Sequence, residues 1–141
     1  SLTGGWFTQW LYSRLMTIPI DRDKGDLRAM RQIFDELDKG VAVGLFPEGT
    51  RSRDGHLQQA KAGIGFLIAK SKATVVPAYI EGSFQAMSRG TVWIKPRKIR
   101  VKFGPPISPE VIEGLGKGKE LYKLAGDYVM QKIGELSETL G

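Results

Sequence analysis

The feature that most constrains this chain is Val41-Ala42-Val43-Gly44-Leu45-Phe46, a continuous apolar run closed at once by Pro47 and a polar loop to Gly55. An unbroken run of that length reads as a strand buried on both faces rather than one with a wet side. Residues 57–70 then return to helical spacing through Ile64, Phe66, Leu67 and Ile68, so the unit is strand, loop, helix. The same alternation runs along the chain. A helix is expected over about 5–15 on Trp6, Phe7, Trp10, Leu11 and Leu15, then a short strand at 17–20 bent by Pro19. Asp26 can cap a helix carrying Leu27, Met30, Phe34 and Leu37, which Gly40 ends. Strands are expected at 74–80, 91–94 and 98–103, with a helix opened by Ser108-Pro109 and broken by the glycines of 114–118. A last amphipathic helix is expected from about 119 to 140. Strands alternating with helices define an α/β fold, a mostly parallel sheet flanked by helices, as one domain over 1–141. Ligands of such sheets sit beyond the carboxyl ends of the strands, which directs attention to the loop after Phe46.

That loop reads Phe46-Pro47-Glu48-Gly49-Thr50-Arg51-Ser52. Gly49 permits close backbone approach, Thr50 and Ser52 carry hydroxyls, and Arg51 offers a planar fork suited to phosphate. Amides opening the following helix would add to an oxyanion site. By residue type alone, a polar surface turn accounts for the loop equally well. Gly63 and Gly65 inside the helix each cost roughly 1 kcal/mol of helix propensity, which points to close packing or close approach of a ligand.

The whole string resembles the third signature motif of the glycerolipid acyltransferase family, 1-acylglycerol-3-phosphate acyltransferases among them, at all seven positions. Ile18-Pro19-Ile20-Asp21-Arg22 is similar to the second motif, and Val75-Val76-Pro77-Ala78-Tyr79-Ile80 to the fourth. Lys61 and Gly63 resemble the Lys-x-Gly that follows the third. The resemblance implies that Arg22, Arg51 and Lys61 hold the acceptor phosphate, with Gly49, Thr50 and Ser52 in the same site. Glu48 would organise the loop or meet the glycerol part of the acceptor. For Arg22 and Lys61 taken singly, solvated surface charge is the plain alternative, and for Glu48 an ion pair with a neighbouring Arg. The family moves an acyl group from acyl-CoA or acyl carrier protein to a lysophospholipid acceptor and needs no further cofactor.

Its first motif is a His, four residues and an Asp: a general base, and a carboxylate that orients it. Here the one histidine is His56, Lys61 stands five positions on, and both follow the third motif. His56 therefore reads as an exposed loop residue. No catalytic residue is expected within these 141 residues. The dyad is expected upstream of Ser1, in a strand and helix missing from an N-terminally truncated chain, which alone would be inactive. Such a truncation would bare a sheet edge and favour self-association.

The chain has no cysteine, which excludes disulfides, thiolate zinc sites and cysteine nucleophiles, and its single histidine gives no metal-ligand spacing. A net charge of +6 favours anionic partners. The basic residues are scattered without a nucleic-acid signature, so no nucleic-acid partner is expected. Gly116-Lys117-Gly118-Lys119 lacks the preceding strand and the hydroxyl residue of a phosphate loop of nucleotide triphosphatases. The family resemblance implies work at the cytoplasmic face of a membrane, peripheral or anchored by a segment outside this chain. Trp6, Phe7, Trp10 and Leu11, with Arg14, either meet the headgroup region there or pack on the domain. A non-catalytic lipid-phosphate binder is the alternative function.

Overall fold

The computed structural model describes residues 27–50, 52, 54–86 and 96–139. The expected helix at 5–15, the strands at 17–20 and 91–94, the cap Asp26, and the site residues Arg22 and Arg51 lie outside the described residues. The chain divides into two compact units, residues 1–43 and 44–141.

In the first unit, helix α1 (Leu27–Asp38) buries Ala29 and Ile33, one helical turn apart on one face. Met30, Phe34 and Leu37 are half-buried around them, whereas Leu27, expected in the stripe, is 79% exposed. Gly40 ends the helix as expected. Its φ of 78° lets Val41 N–H reach the Glu36 carbonyl at 3.0 Å and its own N–H reach Leu37 at 2.9 Å, a Schellman stop.

The second unit is built from α2 (Ala62–Ser71), β1 (Ala78–Glu81), α3 (Ser83–Ala86), β2 (Arg100–Phe103), α4 (Pro109–Glu113) and α5 (Gly118–Glu138). The α/β class stands. The described strands pair antiparallel, with Ala78 opposite Phe103 and Ile80 opposite Val101. An isolated bridge between Val75 and Ile107 extends the pairing. The ladder breaks between them because Pro105 and Pro106 have no N–H to donate. The run 41–46 has no ladder partner among the described residues and leaves Phe46 74% exposed, where a strand buried on both faces was expected. An apolar run supplies the side chains of a central strand, but a ladder needs neighbours on both edges.

Helix α5 organises the core. Ala125, Val129 and Ile133 recur at i, i+4 and i+8 and meet Ile68 of α2, Ile107, and Ile112 of α4. Tyr79 of β1 packs on this cluster from the sheet. Helices α2 and α5 touch at backbone distance, since a Cβ on Gly65 would lie 1.7 Å from the Tyr122 carbonyl oxygen. Beside that contact the Phe66 and Tyr122 rings meet edge to face, 5.1 Å between centroids. The close packing expected of Gly65 is thus real, and its neighbour is a helix.

Alternate residues of a strand face opposite ways, so the two sheet faces differ. One carries Tyr79, the ion pair of Glu81 with Arg100 (2.9 Å), and Lys102, which donates to the Thr139 hydroxyl at the end of α5. The other presents Ile80, Val101 and Phe103, the last two 51% and 69% exposed. The alternation expected for 98–103 is present, with its apolar side outward in this unit.

Candidate acceptor-binding loop

Residues 46–61 form one loop between the apolar run and α2. Gly49 turns it: φ is 68°, a region open to glycine, and its N–H donates to the Phe46 carbonyl at 2.9 Å. The far end returns to the same place. Lys61 N–H donates to the Pro47 carbonyl at 2.9 Å, and Gln58 N–H to Glu48 Oε2 at 3.2 Å. These two bonds tie the start of the loop to its end, which is why α2 begins at Ala62 and not at the expected 57.

Lys61 is the N-cap of α2, with extended backbone (φ −68°, ψ 141°) and no side-chain cap bond. Its stem lies across Gly49, where an added Cβ would come within 3.2 Å of Lys61 Cγ and 3.7 Å of Cε. Two residues twelve apart in sequence, both expected in the site, are therefore in contact. Lys61 is exposed, and Glu48, Gly49, Thr50 and Ser52 are half-buried. The ammonium on its stem and the open amides at the start of α2 give this end of the helix positive character without a carboxylate in its first turn.

The middle of the loop is a tight turn. The Ser52 hydroxyl stands 3.1 Å from Asp54 Oδ1 and 3.0 Å from the His56 carbonyl oxygen, and accepts Gly55 N–H at 2.8 Å. Asp54 Oδ1 also accepts His56 N–H at 3.0 Å. The bond from His56 N–H, and after it the one from Ser52, hold the Asp54 carboxyl below the usual aspartate range. A depressed pKa means the bonded carboxylate is favoured above the ordinary aspartate value and lost only as pH falls through the lowered one. His56 enters this turn through its backbone and is exposed, as expected.

Sequence reasoning missed Asp54, Gln58 and the Pro47 carbonyl, all of which hold the loop. The pair Asp54-Gly55 was legible as a turn signal, with Gly55 at φ 87°. The amides of Gln58 and Lys61 carried no sequence signal, since their partners lie ten or more residues away. Among the described residues no group of carboxylates and histidine forms a metal site, and no helix is long and apolar enough to cross a membrane.

A glycine turn crossed by a lysine that opens a helix, set on an α/β unit, is the setting in which this chain presents its motif. The Acyltransferase family model matches residues 1–81, and the chain belongs to that family. A 1-acyl-sn-glycerol-3-phosphate acyltransferase of Limnanthes douglasii is 35% identical over 103 residues, 71% of this chain and 37% of the relative. The protein of that name from Bacillus subtilis is 28% identical over 135 residues, 94% of this chain and 64% of its own length. The crystal structure of the 1-acyl-sn-glycerophosphate (LPA) acyltransferase PlsC from Thermotoga maritima superposes with a TM-score of 0.70 at 28% identity. That match covers 92% of this chain and 51% of PlsC, so the chain spans about half of that structure.

Proposed function

We propose that this chain is the acceptor-binding part of a 1-acylglycerol-3-phosphate acyltransferase, which moves an acyl group from acyl-CoA or acyl carrier protein to the free hydroxyl of lysophosphatidate. The observation that carries this reading is the contact of Lys61 with Gly49 at the opening of α2. It brings the stem of a cationic side chain and the opening of α2 against Gly49 of the motif, which supports reading them as donors to an acceptor phosphate, with Thr50 and Arg51 assigned to it on the motif alone. Arg22 is assigned to the same phosphate on its motif alone. Glu48 organises the loop, a role supported by its bond to Gln58 N–H.

The general base is assigned to a His-x4-Asp pair outside these 141 residues, since His56 is followed by Lys61 in the fifth position. Without that pair the chain binds acceptor and transfers nothing at a useful rate. General-base catalysis is worth roughly 100- to 10,000-fold. The acceptor is a lipid, and the net charge of +6 suits an anionic leaflet, so the protein works at the cytoplasmic face of a membrane.

The test is acyl transfer to 1-acylglycerol 3-phosphate by the native polypeptide carrying this sequence, followed as labelled phosphatidate. Phosphatidate forms, and His56→Ala leaves the rate unchanged. Binding of lysophosphatidate without transfer would favour the non-catalytic binder instead. Absence of binding sinks both readings.

The apolar face of Ile80, Val101 and Phe103 supports self-association of the 141-residue chain. Light scattering of this chain is expected to give a mass that rises with concentration, and Phe103→Lys to suppress the rise. A monomer at all concentrations would rule this out.

A further inference from the structure

A serine hydroxyl has one proton to give. That of Ser52 lies between Asp54 Oδ1 at 3.1 Å and the His56 carbonyl at 3.0 Å, and the oxygen already accepts Gly55 N–H at 2.8 Å. Phosphate oxygens of an ionised acceptor only accept, so a bond from Ser52 to phosphate needs the proton that the turn has claimed. Asp54 is likewise engaged within the turn, since its Oδ1 takes both the Ser52 hydroxyl and His56 N–H. A carboxylate aimed at the acceptor would repel it. One committed to backbone does not need to face it.

The turn has a seat as well as a lock. Gly55, at φ 87°, lies against the Phe84 ring of α3, where an added Cβ would meet Cδ1 at 3.2 Å. The loop is therefore held by Lys61 on Pro47 at one end and by the 52–56 turn on Phe84 in its middle. Among the described residues, Glu48, Gly49 and Thr50 lie between these fixtures.

We infer that Ser52 and Asp54 are positioning residues: they lock the 52–56 turn so that the Gly49–Thr50 stretch before it is presented to the acceptor phosphate, and neither touches the acceptor. This rests on the acceptor reading above, and it gives Ser52 a different task from the phosphate contact that its motif implies.

The experiment is steady-state acyl transfer by the native polypeptide, with acceptor and acyl-CoA varied separately. The variants are Ser52→Ala, Asp54→Ala, the double Ala variant and Asp54→Asn, each checked by thermal unfolding. Loss of one such hydrogen bond is expected to raise the acceptor KM about 5- to 10-fold, with the acyl-CoA KM unchanged. The double variant is expected to be no worse than either single one, because both remove the same lock. Asp54→Asn keeps an acceptor oxygen at Oδ1 and restores most of the loss. Multiplying effects in the double variant, or a Ser52→Ala defect with Asp54→Ala neutral, would overturn the inference and return Ser52 to the phosphate. Separately, a native polypeptide that binds no lysophosphatidate, with Lys61→Ala equally silent, would fail the acceptor reading itself.

Discussion

Gly65→Ala is expected to unfold the second unit or leave it without cooperative melting. The added methyl would lie 1.7 Å from the Tyr122 carbonyl oxygen and 2.8 Å from its carbon, both backbone atoms of α5. Side chains can swing away from such a contact; a helix backbone cannot without moving the whole helix. Ala125, Val129 and Ile133 ride on that helix and form the core with Ile68, so separating α2 from α5 loosens every layer together. Overpacking in a core costs about 1–3 kcal/mol and more when backbone must move, against a total stability of about 5–15 kcal/mol for a domain. Gly134→Ala supplies the contrast. It sits within the 21 residues of α5, and its Cβ would find Leu57 Cδ1 at 4.0 Å, ordinary contact. There alanine's propensity prevails and stability is expected to rise by about 0.5–1 kcal/mol. Urea titrations of the two variants would read opposite signs for one chemical change. A Gly65→Ala variant with the wild-type midpoint would contradict the helix contact.

Lys61→Ala is expected to lower kcat/KM for lysophosphatidate about 10- to 100-fold, since hydrogen bonds to charged groups carry about 1.5–3 kcal/mol. Lysine also packs its stem over Gly49, so the alanine variant removes contact and charge together. Lys61→Met separates them: the stem is kept and the ammonium is gone. If the charge holds the phosphate, Met is as poor as Ala, and the wild-type acceptor KM rises with salt while that of Lys61→Met responds less. A methionine variant with wild-type acceptor kinetics would reduce Lys61 to a packing residue.

Which parts of this molecule were legible depended on where the deciding interactions lie along the chain. Gly40, Ser108-Pro109 and the long stripe of α5 were readable because a cap or a helical face is settled by neighbours within a few residues. Leu57 was not readable as loop. Its segment has helical spacing, but Gln58 and Lys61 give their amides to Glu48 and Pro47, partners that spacing does not reveal. The site followed the same rule. Gly49, Glu48 and Lys61 were recognisable as a set from motif resemblance, and their contact gives that set a geometry. Ser52 was assigned by its hydroxyl, and only coordinates place that hydroxyl between Asp54 and His56. The run 41–46 was read as a strand from composition, which cannot supply a ladder partner.

The contact between Gly65 and Tyr122 also sets an order of events during synthesis. Helix α2, whose first residue follows Lys61, is braced by a helix whose residues are added only after the loop is complete. Domains form as their chain emerges, at about 5–20 residues per second, so the loop waits several seconds for its brace. Ribosomes stalled before α5 would display the whole loop string without the helix that braces α2. The motif loop is thus among the last parts of this unit to mature, although its residues are spelled early.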